Sequence, residues 1–263
     1  MKINIPSELY TTFNSVTYFD ESHKYYLNGC ELISVTTILH QYLNQFNEEY
    51  WAGVKGVEFN LSSKLIKRAW KFINEKGTFK GSIIHDYSEN LFLNKVFKYP
   101  QIEILRRFGF DPILKEYNIT KQHVDNFHTD VQGKLIPIRT EFVIYDEESL
   151  IGGMLDMLFY NIKAGEFQIW DWKTNKELTL EGKHDKLTGC LYMLDECDLE
   201  IYSLQLSMYK LIIEKNTGLK LGDSYLVWFS HNNSSYKIIK TKNRSYYANQ
   251  ILNERISNIK KTT

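Results

Sequence analysis

The chain has 263 residues, 43% of them hydrophobic, with 32 Lys and Arg set against 32 Asp and Glu, so its formal net charge is zero. That composition excludes intrinsic disorder and supplies enough apolar material for one large domain, or one domain with a subdomain grafted on. It also excludes a general attraction to nucleic acid, so any such binding must rest on local basic patches. In chain order, MKINIPSELY lacks the features of a signal peptide, and no apolar run approaches the length of a membrane span, which predicts a soluble, intracellular protein. VTYFDESHKYYLNGCELIS reads as a hairpin whose turn is Asn28-Gly29. SVTTILHQYLNQF places Val35, Ile38, Leu39, Tyr42 and Phe46 at helical spacing. A second helical stretch, LSSKLIKRAWKFINEKG, carries Lys64, Lys67, Arg68, Lys71 and Lys76 around an apolar stripe, and a third, GTFKGSIIHDYSENLFLN, follows it.

From Arg139 the period changes. TEFVIYDE, SLIGGMLDMLFYN and EFQIWDWKT read as three successive strands joined by polar turns. A long polar loop leads to LEIYSLQLSMYKLIIEKNTG, an amphipathic helix ending on Gly218. SYLVWFS and YKIIKTK read as late strands, and RSYYANQILNERISNIKK as a closing helix. Helices on either side of a central group of strands predict an α/β or α+β layout typical of enzymes.

Within this frame a few polar residues stand out. Residues two apart in a strand share a face, so Asp171 and Lys173 project together while Trp170 and Trp172 point the other way. A strand-end ion pair would look the same. Glu181-Gly182-Lys183 also matches the pattern, but only Asp171/Lys173 ends an apolar β-type run. Asp156 interrupts the preceding apolar strand just after Gly152-Gly153. A carboxylate there is either a solvated residue near a turn or one that needs a partner or a metal. If the two strands pair as a hairpin, Asp156 and Asp171 converge, and two such carboxylates repel unless a cation sits between them. Glycines beside Asp156 would let another backbone come close. Gln205 and Tyr209, at i and i+4, share one helical face, and GSIIH places His85 four residues after Gly81. Each of these can be read singly as packing.

Their order is more specific. GSIIH, TEFVIYDEESLIGGMLD with Glu141, IWDWKT and YSLQLSMY, in that sequence, resemble the PD-(D/E)xK nuclease superfamily and its RecB-like exonuclease branch, over about Gly77 to Gly218. SVTTIL after an N-terminal hairpin, together with YSLQLSMYKLIIE, is further similar to phage-encoded nucleases and to the mitochondrial genome maintenance exonuclease. The resemblance implies a restriction-endonuclease-like α/β core, a central mixed sheet flanked by helices, over residues 77–263. Residues 1–76 would then form an N-terminal hairpin and helical region that guides substrate. It implies that His85, Asp156, Asp171 and the backbone carbonyl of Trp172 hold Mg²⁺ or Mn²⁺, hard cations suited to oxygen ligands with one imidazole. It also implies that Lys173 positions the attacking water, that Glu141 acts beside the metal ligands or near a second ion, and that Gln205 and Tyr209 hold the DNA backbone or orient Lys173.

The partner implied is DNA, single-stranded or with free ends, and the location is the cytoplasm, a host's for a phage-encoded chain. Lys64, Lys67, Arg68 and Lys71, with Trp51, Trp70 and Phe72, would guide a strand by charge and stacking, or else form a solvated helix with aromatic core contacts. Some RecB-like relatives carry four cysteines for an iron–sulfur cluster. Here Cys30, Cys190 and Cys197 are three, too few for that cluster or for a disulfide scaffold, and they read as ordinary thiols of a reducing compartment. The function expected is a metal-dependent DNA exonuclease. Its rivals are a structure-selective flap or junction endonuclease and a non-catalytic nucleic-acid-binding or packaging subunit.

Overall fold

A computed structural model describes residues 5–19, 22–109, 111–182 and 185–262, with Thr262 described by its backbone alone. Lys183, half of the second acid–lysine match, and Asp20 and Glu21 of the hairpin segment lie outside the described residues.

After a single helical turn (α1, Glu8–Thr11) come three short antiparallel strands, β1 (Val16–Phe19), β2 (Lys24–Leu27) and β3 (Cys30–Ser34). Asn28 and Gly29 join β2 to β3 with φ of 51° and 83°, the pair of positive φ values a tight primed turn requires. The predicted hairpin is thus present, with β1 as a third strand. α2 (Val35–His40), capped by Ser34 Oγ accepting from the Thr37 N–H, is shorter than the helical spacing predicts. The carbonyl of Tyr42 accepts from the N–H and hydroxyl of Thr188 instead of continuing the helix. Phe46 therefore falls outside α2 and is 65% exposed.

α3 (Glu48–Phe59) leads to α4, a continuous helix over Ser63–Phe92 capped by Ser62 Oγ. The second and third predicted helical stretches are one helix, which runs through Gly77 and Gly81. Glycine inside a helix costs about 1 kcal/mol, and at Gly81 the nearest atom a Cβ would meet is Thr174 Oγ1 at 3.7 Å, an ordinary contact. Two further helices follow, α5 (Gln101–Phe108) and α6 (Asp111–Val131).

The three predicted central strands are β4 (Leu135–Asp146), β5 (Ile151–Asn161) and β6 (Glu166–Lys173), paired antiparallel in turn. α7 (Asp198–Thr217) ends with Gly218 at φ 69°, then β7 (Leu221–Trp228) runs parallel to β6 and β8 (Lys237–Lys240) antiparallel to β7. α8 (Ser245–Thr262) closes the chain. β3 pairs parallel with Ile151 and Gly152 at the start of β5, which joins the N-terminal strands to the sheet.

Strand alternation divides the core in two. Ile169 and Leu226 face α2, α7 and α8, with Leu204, Met208 and Ile251. Trp170, Trp172 and Val227 face the other way, against Ile84 and Phe92 of α4 and Val124 and Phe127 of α6. Burying each such large side chain is worth roughly 1.5–3 kcal/mol, so the two faces fix the register of the central strands. The result is an α/β fold with a central mixed sheet between helical layers. Among the described residues no helix is long and apolar enough to cross a membrane.

Candidate functional site

The antiparallel pairing of β5 with β6 stops at Met157 opposite Trp170. Asp156 and Asp171, the next residue on each strand, therefore stand at a fork, beyond which β6 pairs with β7. Both carboxylates are buried, Asp171 to 2% exposure. Asp156 Oδ2 accepts the N–H of Trp172 at 2.5 Å, a bond that crosses the fork and fixes the carboxylate. The Trp172 ring itself is in the core on the opposite face.

α4 brings His85 to the same place, with Nδ1 3.3 Å from Asp156 Oδ1 and 4.0 Å from Glu141 Oε1. Glu141 lies on β4 between Thr140 and Phe142, which pair with Met157 and Leu155, so it is level with Asp156 across the ladder. Its φ of 42° is left-handed, unusual for a strand residue with a side chain. One ligand atom each from His85, Glu141 and Asp156 lies within 4.8 Å of the other two. Lys173 Nζ is 2.5 Å from Asp171 Oδ2, with its ammonium 4.1 Å from the centre of the Tyr202 ring.

The electrostatics are those of crowded negative charge. Burial first, and then the Asp156 carboxylate, push Glu141 up to about 8. Burial pushes Asp171 up to about 6 in spite of Lys173. Burial acts upward on Asp156 as well, but His85, Lys173 and the Trp172 N–H outweigh it and hold that carboxyl below its ordinary value. Desolvation disfavours the charged imidazole of His85, yet Asp156, Glu141 and Asp171 raise it to about 9. Burial acts downward on Lys173, but Asp171, Tyr202 and Asp156 together outweigh it and hold the ammonium above its ordinary value. Glu141 Oε1 is buried with no hydrogen-bond partner among the described residues. An orphaned carboxylate oxygen beside a second carboxylate and an imidazole is a donor set that a hard divalent cation fits.

Gln205 and Tyr209 of α7 are both buried, and Gln205 Nε2 donates to the Tyr209 hydroxyl at 3.1 Å. Burial, with Tyr25 and the two aspartates adding to it, holds the Tyr209 phenol far above its ordinary value, so it stays neutral. The glycines before Asp156 admit aromatic rings, where the sequence suggested a second backbone. A Cβ on Gly153 would fall 2.5 Å from Tyr209 Cε1, and one on Gly152 would fall 3.0 Å from Tyr25 Cγ. Tyr202, the first residue of YSLQLSMY, and Tyr25 are site residues that the sequence reading does not single out. Tyr202 carries a usable signal, since it precedes Gln205 by one helical turn on the same face. Tyr25, in a short strand far away in sequence, carries none.

The basic stripe is placed elsewhere. By helical rise, Lys71 stands about 21 Å and Lys64 about 32 Å from His85 along α4. Lys64, Arg68 and Lys71 are exposed, while Lys67 pairs with Glu49, and Lys71 lies 3.9 Å from Glu75. Trp51 and Phe72 are exposed on the same helical pair and Trp70 is half-buried. Cys30 is exposed on β3, and Cys197 is buried next to α7.

No protein-family profile and no curated protein matches this chain. Among solved structures, the chain is similar to a candidate exonuclease from Eubacterium rectale, at 16% identity and a TM-score of 0.45. That match covers 71% of this chain, and the chain spans 65% of the length of the Eubacterium protein. It is also similar to the protein SSO0001, at 12% identity and a TM-score of 0.28, over 69% of this chain and 86% of that one. The functional reading rests on the geometry of the site itself.

Proposed function

We propose that this chain is a metal-dependent nuclease of the PD-(D/E)xK type and RecB-like branch, which hydrolyses phosphodiester bonds in DNA from a free end. One observation carries the reading. A half-buried imidazole, three carboxylates and a lysine, supplied by α4, β4, β5 and β6, converge where two strands fork.

His85, Asp156 and Asp171, with the Trp172 carbonyl, would hold Mg²⁺ or Mn²⁺, and Glu141 is close enough to serve as a direct ligand. A divalent cation bound there supplies Lewis acidity toward water and offsets charge on the phosphate. The chain's own groups do the positioning. Lys173 keeps its proton and presents a fixed positive charge, braced by Asp171 and by the face of Tyr202, to the attacking water and to the oxygens of the phosphate. Asn175 donates to the Tyr202 hydroxyl at 3.2 Å and holds that ring in place. The burial of Gln205 and Tyr209, and their bond to each other, favour orienting Lys173 over gripping DNA directly. Residues 77–263 act as the nuclease core. Residues 1–76 guide substrate, with Lys64, Lys67, Arg68 and Lys71 supplying charge and the exposed Phe72 a stacking face along the helix that also carries His85, and Trp51 of α3 a second stacking face.

The test is degradation of end-labelled DNA by the full chain with Mg²⁺ or Mn²⁺ and with EDTA. Linear single strands should shorten progressively in metal only, and closed single-stranded circles should persist. Rapid cutting of the circle would replace the exonuclease by an endonuclease, and no cutting of either substrate would remove the nuclease reading.

A further inference from the structure

Little more than one helical turn before His85, α4 carries Lys80, a lysine only 5% exposed. Its ammonium is 3.4 Å from Nδ1 of His231, in the turn after β7. His231 Nε2 is 3.7 Å from Glu116 Oε2 of α6, and that same carboxylate pairs with Lys76 at 3.0 Å. One carboxylate therefore serves Lys76 and His231, and among the described residues Lys80 has no carboxylate in ion-pair contact. Burial lowers the Lys80 ammonium to about 8, and burial with Lys80 as neighbour lowers the His231 imidazole. A buried cation without a counter-ion is costly, and an anion that joined it would offset that cost.

The three basic groups line a cleft of about 490 Å³ together with Thr174, Asn175 and Lys176, the residues that directly follow Lys173, and with two carboxylates, Glu116, which is engaged by Lys76 and His231, and Glu177. Its walls are held by hydrogen bonds. The Phe229 N–H donates to the Lys173 carbonyl, Trp228 Nε1 to the Asn175 carbonyl and Ser230 Oγ to the Lys176 carbonyl, each at 2.8 Å. Lys76 is fixed on the other side, because its carbonyl accepts from the Tyr117 hydroxyl at 2.8 Å. The cationic groups, Lys76, Lys80, Lys176 and His231, outnumber the two carboxylates of the hollow, and with the Thr174 hydroxyl they suit a tetrahedral oxyanion.

We propose that this cleft binds a phosphate group of the substrate strand, next along the chain from the phosphate held at the β5–β6 fork. This inference rests on the nuclease reading. Lys80 and His85 are separated by a rise of about 7.5 Å on α4, the scale of one nucleotide in an extended strand. The site would set the register of the strand, and a terminal phosphomonoester would suit it as well as an internal diester.

Binding of labelled oligothymidylates to the full chain, measured in EDTA so that no hydrolysis is needed, tests the proposal. The probes carry a 5′-phosphate, a 3′-phosphate or hydroxyls at both ends, and the proteins are wild type, Lys80→Met and His231→Gln. Each variant should weaken binding by about tenfold or more, the loss of a charge-assisted hydrogen bond, without lowering the melting temperature. Loss confined to one phosphorylated end assigns the cleft to that terminus, and equal loss on all three probes assigns it to an internal phosphodiester. Should Lys80→Met not fold, His231→Gln, a change in a turn, gives the same reading alone. Unchanged affinity for all three probes in the folded variants overturns the proposal. Hydrolysis of the same probes by wild type in Mn²⁺ is scored apart, and its absence would remove the nuclease reading while leaving the phosphate site to stand on the binding result.

Discussion

Glu141 holds a left-handed backbone in the middle of a strand and an unpartnered buried carboxylate oxygen beside Asp156. Both features cost stability: left-handed φ costs roughly 1–2 kcal/mol for a residue with a Cβ, and like charges in a buried site repel. Glu141→Asn, which tolerates that φ and removes the charge, should raise the metal-free melting temperature by about 2–4 °C. The same variant should bind Mn²⁺ more weakly in calorimetric titration. A lower melting temperature with unchanged Mn²⁺ binding would show Glu141 to be structural only. Nothing in TEFVIYDE announces that backbone, because φ is set by the ladder on either side and not by the residue. Asp156 was legible as a candidate because it interrupts an apolar strand, Asp171 and Lys173 because they end one on a shared face, and His85 through GSIIH and its place in the order of motifs. Lys80 and His231 were not, because they are far apart in sequence and only the packing of α4 against the turn after β7 unites them.

At the level of elements, β4 to β8, α7 and α8 follow from strand alternation, turn residues and the Gly218 cap, though β4 starts at Leu135, ahead of TEFVIYDE, and β7 at Leu221, ahead of SYLVWFS. α5 and α6 have no such reading in the sequence, and their apolar residues bury against α4, with Ile104, Phe108 and Tyr117 around Ile83. The length of α4 was hidden because Gly77, between the two helical stretches, looks like a helix end. α7 meets the sheet through the Gly153–Tyr209 contact, which admits no side chain on β5. Gly153→Ala should therefore cost about 1–3 kcal/mol in chemical denaturation and should displace Tyr209 and Gln205 from the fork. A variant as stable as wild type, with the tyrosine environment unchanged by fluorescence, would mean that the two elements are not held by this contact.

Across the whole molecule, Glu200 joins α7 to the segment between β8 and α8 by accepting from Arg244 Nε at 2.7 Å and Nη2 at 2.8 Å, and by pairing with Lys242. Burial alone would raise its carboxyl, but the two cations outweigh burial and leave it below its ordinary value. A carboxylate with a depressed folded pKa contributes stability that is complete above its unfolded value, about 4.3, and is lost as pH falls through the lower folded value. Glu200→Gln should accordingly cost about 1.5–3 kcal/mol near neutral pH, and the gap from wild type should close as the medium is acidified below about pH 4. A gap independent of pH would assign the loss to packing. The central claim is that the fork of β5 and β6 is a phosphodiester-cleaving site, and Lys173 tests it most directly. Mn²⁺-dependent hydrolysis of a linear labelled strand by Lys173→Ala should fall roughly a hundred- to a thousandfold below wild type, with folding and strand binding retained. Hydrolysis by that folded variant at the wild-type rate would contradict the account.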